Sequence, residues 1–289
     1  MKKFAKVIIA VLALVCLVGA CFALVACDPK GEAEKVKVID ISLTEEGYAF
    51  AVHKGDTATL SAANELLDEL TASGELGNII NSFFDGTATF TYENPASSEG
   101  CLIVATNAHF PPFEYYEGNK FTGIDIQIAK LLADKMGKQL YVRDQEFEAA
   151  LLDVQGNGTA HIAMAGITVN PSRQEVMDFT KEYYTSAQVI IVKESDTTFD
   201  GCKTAEEVLA ILAQQSKSYS IGTQNGTTGF MFCNGDEGFG YDGFSNLTTK
   251  GYTTGALAVK DLSNGKLNAV VIDRQPALMI AASTNANLG

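Results

Sequence analysis

Residues 36–60 read VKVIDISLTEEGYAFAVHKGDTATL, and their reading decides the fold. VKVID suits a short strand, the polar LTEEG a crossing, YAFAV a second strand, and DTATL the start of a helix. The helical runs TLSAANELLDELTASG and ELGNIINSFF follow. Strand, crossing, strand and paired helices are a way of finishing a two-lobed chain, yet here they come almost first.

The 289 residues are 46% hydrophobic and 19% charged, the composition of a globular chain long enough for two lobes of ordinary size. Lys2, Lys3 and Lys6 precede an apolar run from Val7 to Ala26, a basic head and apolar stretch typical of an export signal. The run is also long enough to span a bilayer as an uncleaved anchor. VGAC, ending at Cys21, and LVAC, ending at Cys27, both resemble the lipobox of bacterial lipoproteins. The polar DPKGEAEK directly after Cys27 favours that residue as the lipidation site. The expectation is a lipoprotein signal peptide over 1–27, a tether over 28–35, and a lipid anchor on the outer face of the cell membrane.

The chain has 21 basic and 35 acidic residues; without the three leader lysines, 18 face 35, a formal charge of −17. Such a surface argues against nucleic acid or anionic lipid as a partner. Of six cysteines, Cys101, Cys202 and Cys233 lie outside the export region. Both a Cys202–Cys233 disulfide and free buried thiols fit an extracytoplasmic setting. His53, His109 and His161 are too scattered for a zinc site, and no nucleotide-binding or hydrolase motif occurs. No catalytic residue, metal or cofactor is therefore assigned.

Strand-like and helix-like runs alternate twice. CLIVAT, QLYVRD and HIAMAGI are strands around the helix FTGIDIQIAKLLADKMG; SYSIGTQ, LTTKGY and NAVVID repeat the pattern later. YYTSAQVIIVKES (183–195) joins the halves, and DGTATFTYENPASSEG (85–100) reads as a linker. Two such halves imply an α/β protein of two lobes, whose ligands sit beyond the carboxyl ends of the strands. Asn107, Thr168, the Thr227–Thr228 pair and Asp273 fall at four such ends. Arg173, in the helix opened by Pro171, suits bidentate pairing with a carboxylate. Taken singly, each has an ordinary reading. Arg173 can be a solvated helix residue, Thr227 and Thr228 a helix cap, and Asp273 the cap of the following helix. Together they offer a cation, an anion-attracting helix start and a carboxylate, matching the two charges of an amino acid. Phe110, Phe113, Tyr115 and Tyr116 around Pro111–Pro112 can wall a pocket or pack the loop onto the core.

LIVATNAHFPPFEYYEGNKFTGIDIQIAKLLADKMG, AMAGITVNPSRQEVMDFTKEYYTSAQVIIV and NAVVIDRQPA, in this order, resemble the extracytoplasmic amino-acid-binding proteins of ABC importers (solute-binding protein family 3). The resemblance implies a periplasmic-binding-protein type II fold with a two-strand hinge, an amino-acid ligand, ABC permease subunits as partners, and a monomer. It further implies that Phe110 stacks on the ligand and Asn107 faces its side chain. Gly166 (through its backbone) and Thr168 would hydrogen-bond the ligand, Arg173 clamp its α-carboxylate, Thr228 add a backbone N–H, and Asp273 hold its α-ammonium. Asn107, where an acid would suit lysine or arginine, leans towards a polar neutral ligand such as glutamine or cystine. His161 stands where the family often has Asp, outside these contacts.

The same resemblance accounts for 36–84 as the family's closing segment moved to the front, a circular permutation with 85–100 joining the old ends. A truncated gene carrying the tail of a lost upstream copy is the other account. The expected division is lobe 1 over 48–191, and lobe 2 over 36–47 plus 192–289, hinged near Tyr48–Val52 and Gln188–Val192. A cyclohexadienyl dehydratase-like enzyme and an extracellular sensor domain are rival functions on such a fold.

Overall fold

The computed structural model describes residues 33–156 and 158–289. The export segment 1–27 with Cys27, and the tether up to residue 32, lie outside the described residues. Glu34–Gly289 form one unit, in which β1 (Val36–Ile39) and β2 (Glu46–His53) are followed by α1 (Thr57–Ser73) and α2 (Glu75–Phe84). Next come β3 (Leu102–Thr106), the hairpin β4 (Tyr115–Glu117) and β5 (Lys120–Thr122), α3 (Ile124–Lys135), β6 (Leu140–Asp144) and α4 (Phe147–Leu152). They lead to β7 (Ile162–Thr168), α5 (Pro171–Val176), β8 (Met177–Phe179) and β9 (Tyr184–Ser186). Beyond Ala187 lie β10 (Gln188–Lys193), α6 (Ala205–Ala213), β11 (Ser220–Gln224) and α7 (Thr228–Asn234). The chain closes with β12 (Thr248–Tyr252), α8 (Gly255–Ser263), β13 (Ala269–Asp273) and α9 (Arg274–Ala286).

Lobe 1 is built on a sheet of order β6-β3-β7-β2-β8, with β9 also on β2; lobe 2 is built on β1-β10-β13-β11-β12. In lobe 1, β3 runs parallel to β6 and β7, while β2 returns antiparallel beside β7. In lobe 2, β11 runs parallel to β12 and β13, and β10 lies antiparallel between β13 and β1. Strands covered on both faces need unbroken apolar runs, and β7, IAMAGIT, is buried at every position. The helix that follows β2 is set by local chemistry. The Asp56 carboxylate accepts the Thr59 N–H at its start, and Gly74, at φ +78°, turns the chain at its end.

The opening stretch is thus split between the lobes, VKVI in one sheet and EGYAFAVH in the other. The crossings lie at 40–45 and at Ala187 and run side by side. The Leu43 N–H donates to the Gln188 carbonyl at 2.9 Å, and the Gln188 N–H to Thr44 Oγ1 at 2.8 Å. The divisions expected at 47/48 and 191/192, and the hinge expected at Tyr48–Val52 and Gln188–Val192, are therefore corrected. Tyr48–Val52 lies inside the lobe 1 sheet and Gln188–Ile191 is paired in the lobe 2 sheet. Around Ala187 the run SAQVIIV, with no Gly or Pro, carries no mark of where it changes sheets.

One edge of each large sheet, β1 and β6, is met by an asparagine side chain. Asn285 of α9 accepts the Val36 N–H and donates to the Val36 carbonyl, each at 2.8 Å. Asn94 does the same for Val142 on β6, at 2.7 Å both ways. Residues 85–100 are consequently laid along lobe 1, with Tyr92 bridged to Phe121. Cys101, Cys202 and Cys233 are free thiols. Among the described residues no helix is long and apolar enough to cross a membrane.

Candidate functional site

The carboxyl ends of β3, β7, β11 and β13 meet at one narrow cleft between the lobes. All seven residues expected from the sequence line it: Asn107, Phe110, Gly166, Thr168, Arg173, Thr228 and Asp273. Glu114, Phe147 and Gln224 line it as well and were missed. Gln224 ends a strand, the same signal that marked the others, whereas Glu114 sits in an aromatic loop and Phe147 opens a helix without any motif.

Arg173 is not the solvated helix residue that its position allows. It is 6% exposed and forms no ion pair among the described residues. Nη1 donates to the Thr168 carbonyl at 2.6 Å in lobe 1, and Nη2 to the Gly226 carbonyl at 3.0 Å in lobe 2. Phe147 and Phe239 flank the guanidinium carbon at 5.6 and 5.4 Å. Burial brings its pKa down to about 10, against the pull of Glu46 and Asp273, so it stays charged at neutral pH. A buried cation held only by carbonyls and ring faces is suited to take an anion.

Asp273 is the complementary case. It precedes α9 but makes no side-chain cap, so that ordinary reading falls away. Its carboxylate accepts from the Tyr48 hydroxyl and, at 3.3 Å, from Ser186 Oγ. It forms no ion pair among the described residues; burial first, and then the Glu46 charge, push its pKa up to about 7. Thr227 is the cap of α7, accepting the Phe230 N–H, while Thr228 behind it is buried at the first helical position, where the backbone N–H has no partner within the helix.

Further contacts bridge the lobes. Thr228 Oγ1 donates to Thr168 Oγ1 at 3.0 Å, and Gln224 Nε2 to Asn107 Oδ1 at 2.8 Å. The Gly166 N–H is committed to Asp125 at 3.0 Å, which leaves the carbonyl as the backbone group that Gly166 can offer a ligand. At one end of the cleft Glu114 is 1% exposed, with Oε2 unpartnered; burial, then the neighbouring Asp125, raise its pKa well above the ordinary range. Gln224 Oε1 is likewise buried and unpartnered. Of the loop aromatics only Phe110 lines the cleft. Phe113 packs edge-on against Tyr48 at 5.2 Å, and Tyr115 and Tyr116 form the small hairpin. His161 accepts the Ile103 N–H at 2.9 Å, away from the cleft.

Residues 102–275, more than half of the chain, match the family described as bacterial extracellular solute-binding proteins, family 3. The chain belongs to that family. Among curated family relatives, an arginine-binding extracellular protein of Bacillus subtilis is 34% identical over 32% of this chain and 36% of its own length. A putative ABC transporter arginine-binding protein of Escherichia coli is 26% identical over 62% of this chain and 65% of its own. The chain thus spans about one to two thirds of these relatives. Among solved structures, an ancestral arginine-binding protein bound to arginine aligns with TM-score 0.54 at 26% identity, covering 65% of this chain and 76% of that one. An ancestral amino-acid-binding protein, a precursor of cyclohexadienyl dehydratase, aligns at 0.52 and 26%, covering 66% and 75%. The two-lobed α/β architecture of this family-3 chain is that of the periplasmic type II binding proteins.

Proposed function

We propose that this solute-binding protein captures an extracellular amino acid between its lobes and delivers it to the permease subunits of an ABC importer, acting as a monomer tethered by lipid on Cys27. One observation carries the reading. Arg173 and Asp273, a cation and an anion both buried and neither ion-paired among the described residues, line the same cleft from different lobes. An α-carboxylate on Arg173 and an α-ammonium on Asp273 complete both, and closure follows because each lobe supplies one charge. Phe110 stacks on the ligand, Thr168 and the Gly166 carbonyl accept from its ammonium, and the Thr228 N–H donates to its carboxylate.

For the side chain we infer a basic amino acid of the arginine type. Glu114 supplies the acid that Asn107 does not, and Glu114 Oε2 with Gln224 Oε1 forms a pair of buried acceptors in want of donors. Relatives named for binding arginine point the same way. Thermal-shift screening against the amino acids, followed by calorimetry, tests both readings. Saturation at about 1,000 Kd stabilises the protein by about 4 kcal/mol. Melting unchanged by every amino acid would overturn the binding function, and a response to neutral side chains alone would overturn the basic one.

The chain order is read as a circular permutation. β1 and β2 fill one place in each sheet but lie N-terminal to the matched residues 102–275. A gene reordered to place 34–84 after 289 is expected to fold with unchanged ligand affinity; a reordered protein that does not fold argues for the other account. An enzyme on this fold is the second reading, favoured by Glu114, a buried carboxyl whose pKa burial raises beside the cleft. Incubation with prephenate or arogenate, followed by product analysis, separates it from a binding protein.

A further inference from the structure

Glu46 is 3% exposed at the end of the 40–45 crossing and has no cationic partner among the described residues. Its Oε1 accepts the Thr44 hydroxyl at 2.6 Å, and Thr44 Oγ1 in turn accepts the N–H of Gln188, the first residue of β10, at 2.8 Å. Its Oε2 accepts the Thr168 hydroxyl at 2.8 Å. The carboxylate is therefore held by the 40–45 crossing and points one oxygen at a residue of the cleft.

The direction of that last bond matters. A hydroxyl has one proton to give and two lone pairs to receive. An ionised carboxylate can only accept, so Thr168 must spend its proton on Glu46. What Thr168 then shows the cleft is acceptor only, and the Thr228 hydroxyl already donates to it at 3.0 Å. The Glu46 charge also reaches Asp273, where it helps to raise the carboxyl pKa. Ser186, opposite Glu46 in the β2–β9 register, donates to the same Asp273 oxygen as Tyr48.

We propose that Glu46 is a positioning residue for the α-ammonium subsite, fixing the Thr168 hydroxyl as an acceptor and adding a second negative charge behind Asp273. The inference rests on the amino-acid reading. A ligand ammonium relieves the repulsion between two buried carboxylates that form no ion pair among the described residues and feel the Arg173 guanidinium only at longer range. The cleft thus selects against ligands that keep the carboxylate but lack the amine. Replacing Glu46 by glutamine removes the charge and lets an amide N–H donate to Thr168, which turns the Thr168 proton towards the cleft and against an incoming ammonium.

The test is calorimetry of the wild type and Glu46→Gln with two matched pairs: L-arginine and 5-guanidinopentanoate, and L-glutamine and glutaramate. The second member of each pair lacks only the α-ammonium. Glu46→Gln is expected to weaken the bound amino acid by roughly 10- to 100-fold. Its deaminated counterpart, weaker in the wild type, should change by no more than about twofold, within the scatter of such measurements. The free variant should melt no lower than the wild type, because one of two adjacent buried anions is gone; a merely structural carboxylate would give a lower melting temperature and equal losses for both members of a pair. Equal losses, or no loss for the amino acid, would overturn the assignment to Glu46 while leaving the binding function standing. A wild type that binds neither amino acid would overturn both.

Discussion

Arg173 of lobe 1 donates a 3.0 Å hydrogen bond to the Gly226 carbonyl of lobe 2, so one buried guanidinium ties the lobes together. The same group is the proposed clamp for a ligand carboxylate. Arg173→Ala should weaken amino-acid binding by about 2–5 kcal/mol, or roughly 30- to 5,000-fold in Kd. Arg173→Lys should recover only part of this, since an ammonium cannot reproduce the planar fork or its place between Phe147 and Phe239. Calorimetric titration checks both, and wild-type affinity in Arg173→Ala would remove the residue from the site.

Glu114 decides the side chain. Glu114→Gln keeps the shape and the contact with Asp125 but removes the acid. Affinity for L-arginine should fall by roughly 10- to 100-fold. Affinity for L-glutamine should move far less, and the ratio of the two dissociation constants is the measurement. An unchanged ratio would assign the selectivity elsewhere.

Gly166 has no room for a side chain. At φ +53° it occupies the left-handed region, and a Cβ there would lie 2.9 Å from Phe110 Cε1 and 3.2 Å from Tyr48 Cε2. Gly166→Ala is expected to cost about 1–3 kcal/mol of stability. It should also lower ligand affinity, because the displaced ring of Phe110 is one wall of the cleft. Denaturant unfolding and titration of the same sample read the two effects.

Asn94→Ala tests whether 85–100 is a loose connection or part of lobe 1. Removing the amide leaves both backbone groups of Val142, on a buried edge residue, without their present partner. The expected cost is about 1–3 kcal/mol in unfolding free energy. A flexible linker would give no change.

That segment shows where sequence reading stops. Gly, Ser, Thr and Pro in 85–100 mark irregular backbone, but composition cannot show that an asparagine amide will stand in for a missing strand. The site residues were legible because strand ends in an α/β sheet face one cleft, which places Thr168 and Asp273 there before any coordinates. Glu114 was not, because a charged residue in FPPFEYYEG reads as exposed. Its burial depends on Asp125, eleven positions on, which only the packing of α3 brings beside it. The sheet change at Ala187 was hidden for another reason. SAQVIIV is uniformly suited to a strand, so only pairing partners locate the crossing.

Acidity should act on this protein in two opposed ways. Burial pushes Asp125 and Asp273 up to about 7 from the ordinary 3.8, and raises Glu114. Below pH 3.8 each aspartate is protonated, folded or unfolded, and contributes nothing. Between 3.8 and about 7 only the unfolded chain ionises, so stability falls as pH rises, by at most about 1.4 kcal/mol per pH unit for each group. His161, lowered by burial, works in the opposite sense below pH 6.5, one group against three. The free protein should therefore melt higher at pH 5 than at pH 7.5. Ligand affinity should run the other way, because an ammonium binds ionised Asp273. Kd should rise as pH drops below about 7, approaching tenfold per unit for one linked proton. Calorimetry in buffers of different ionisation heat should detect proton release on binding near pH 6. A Kd flat from pH 5 to 8 would show that Asp273 is already ionised throughout that range or lies outside the ammonium subsite.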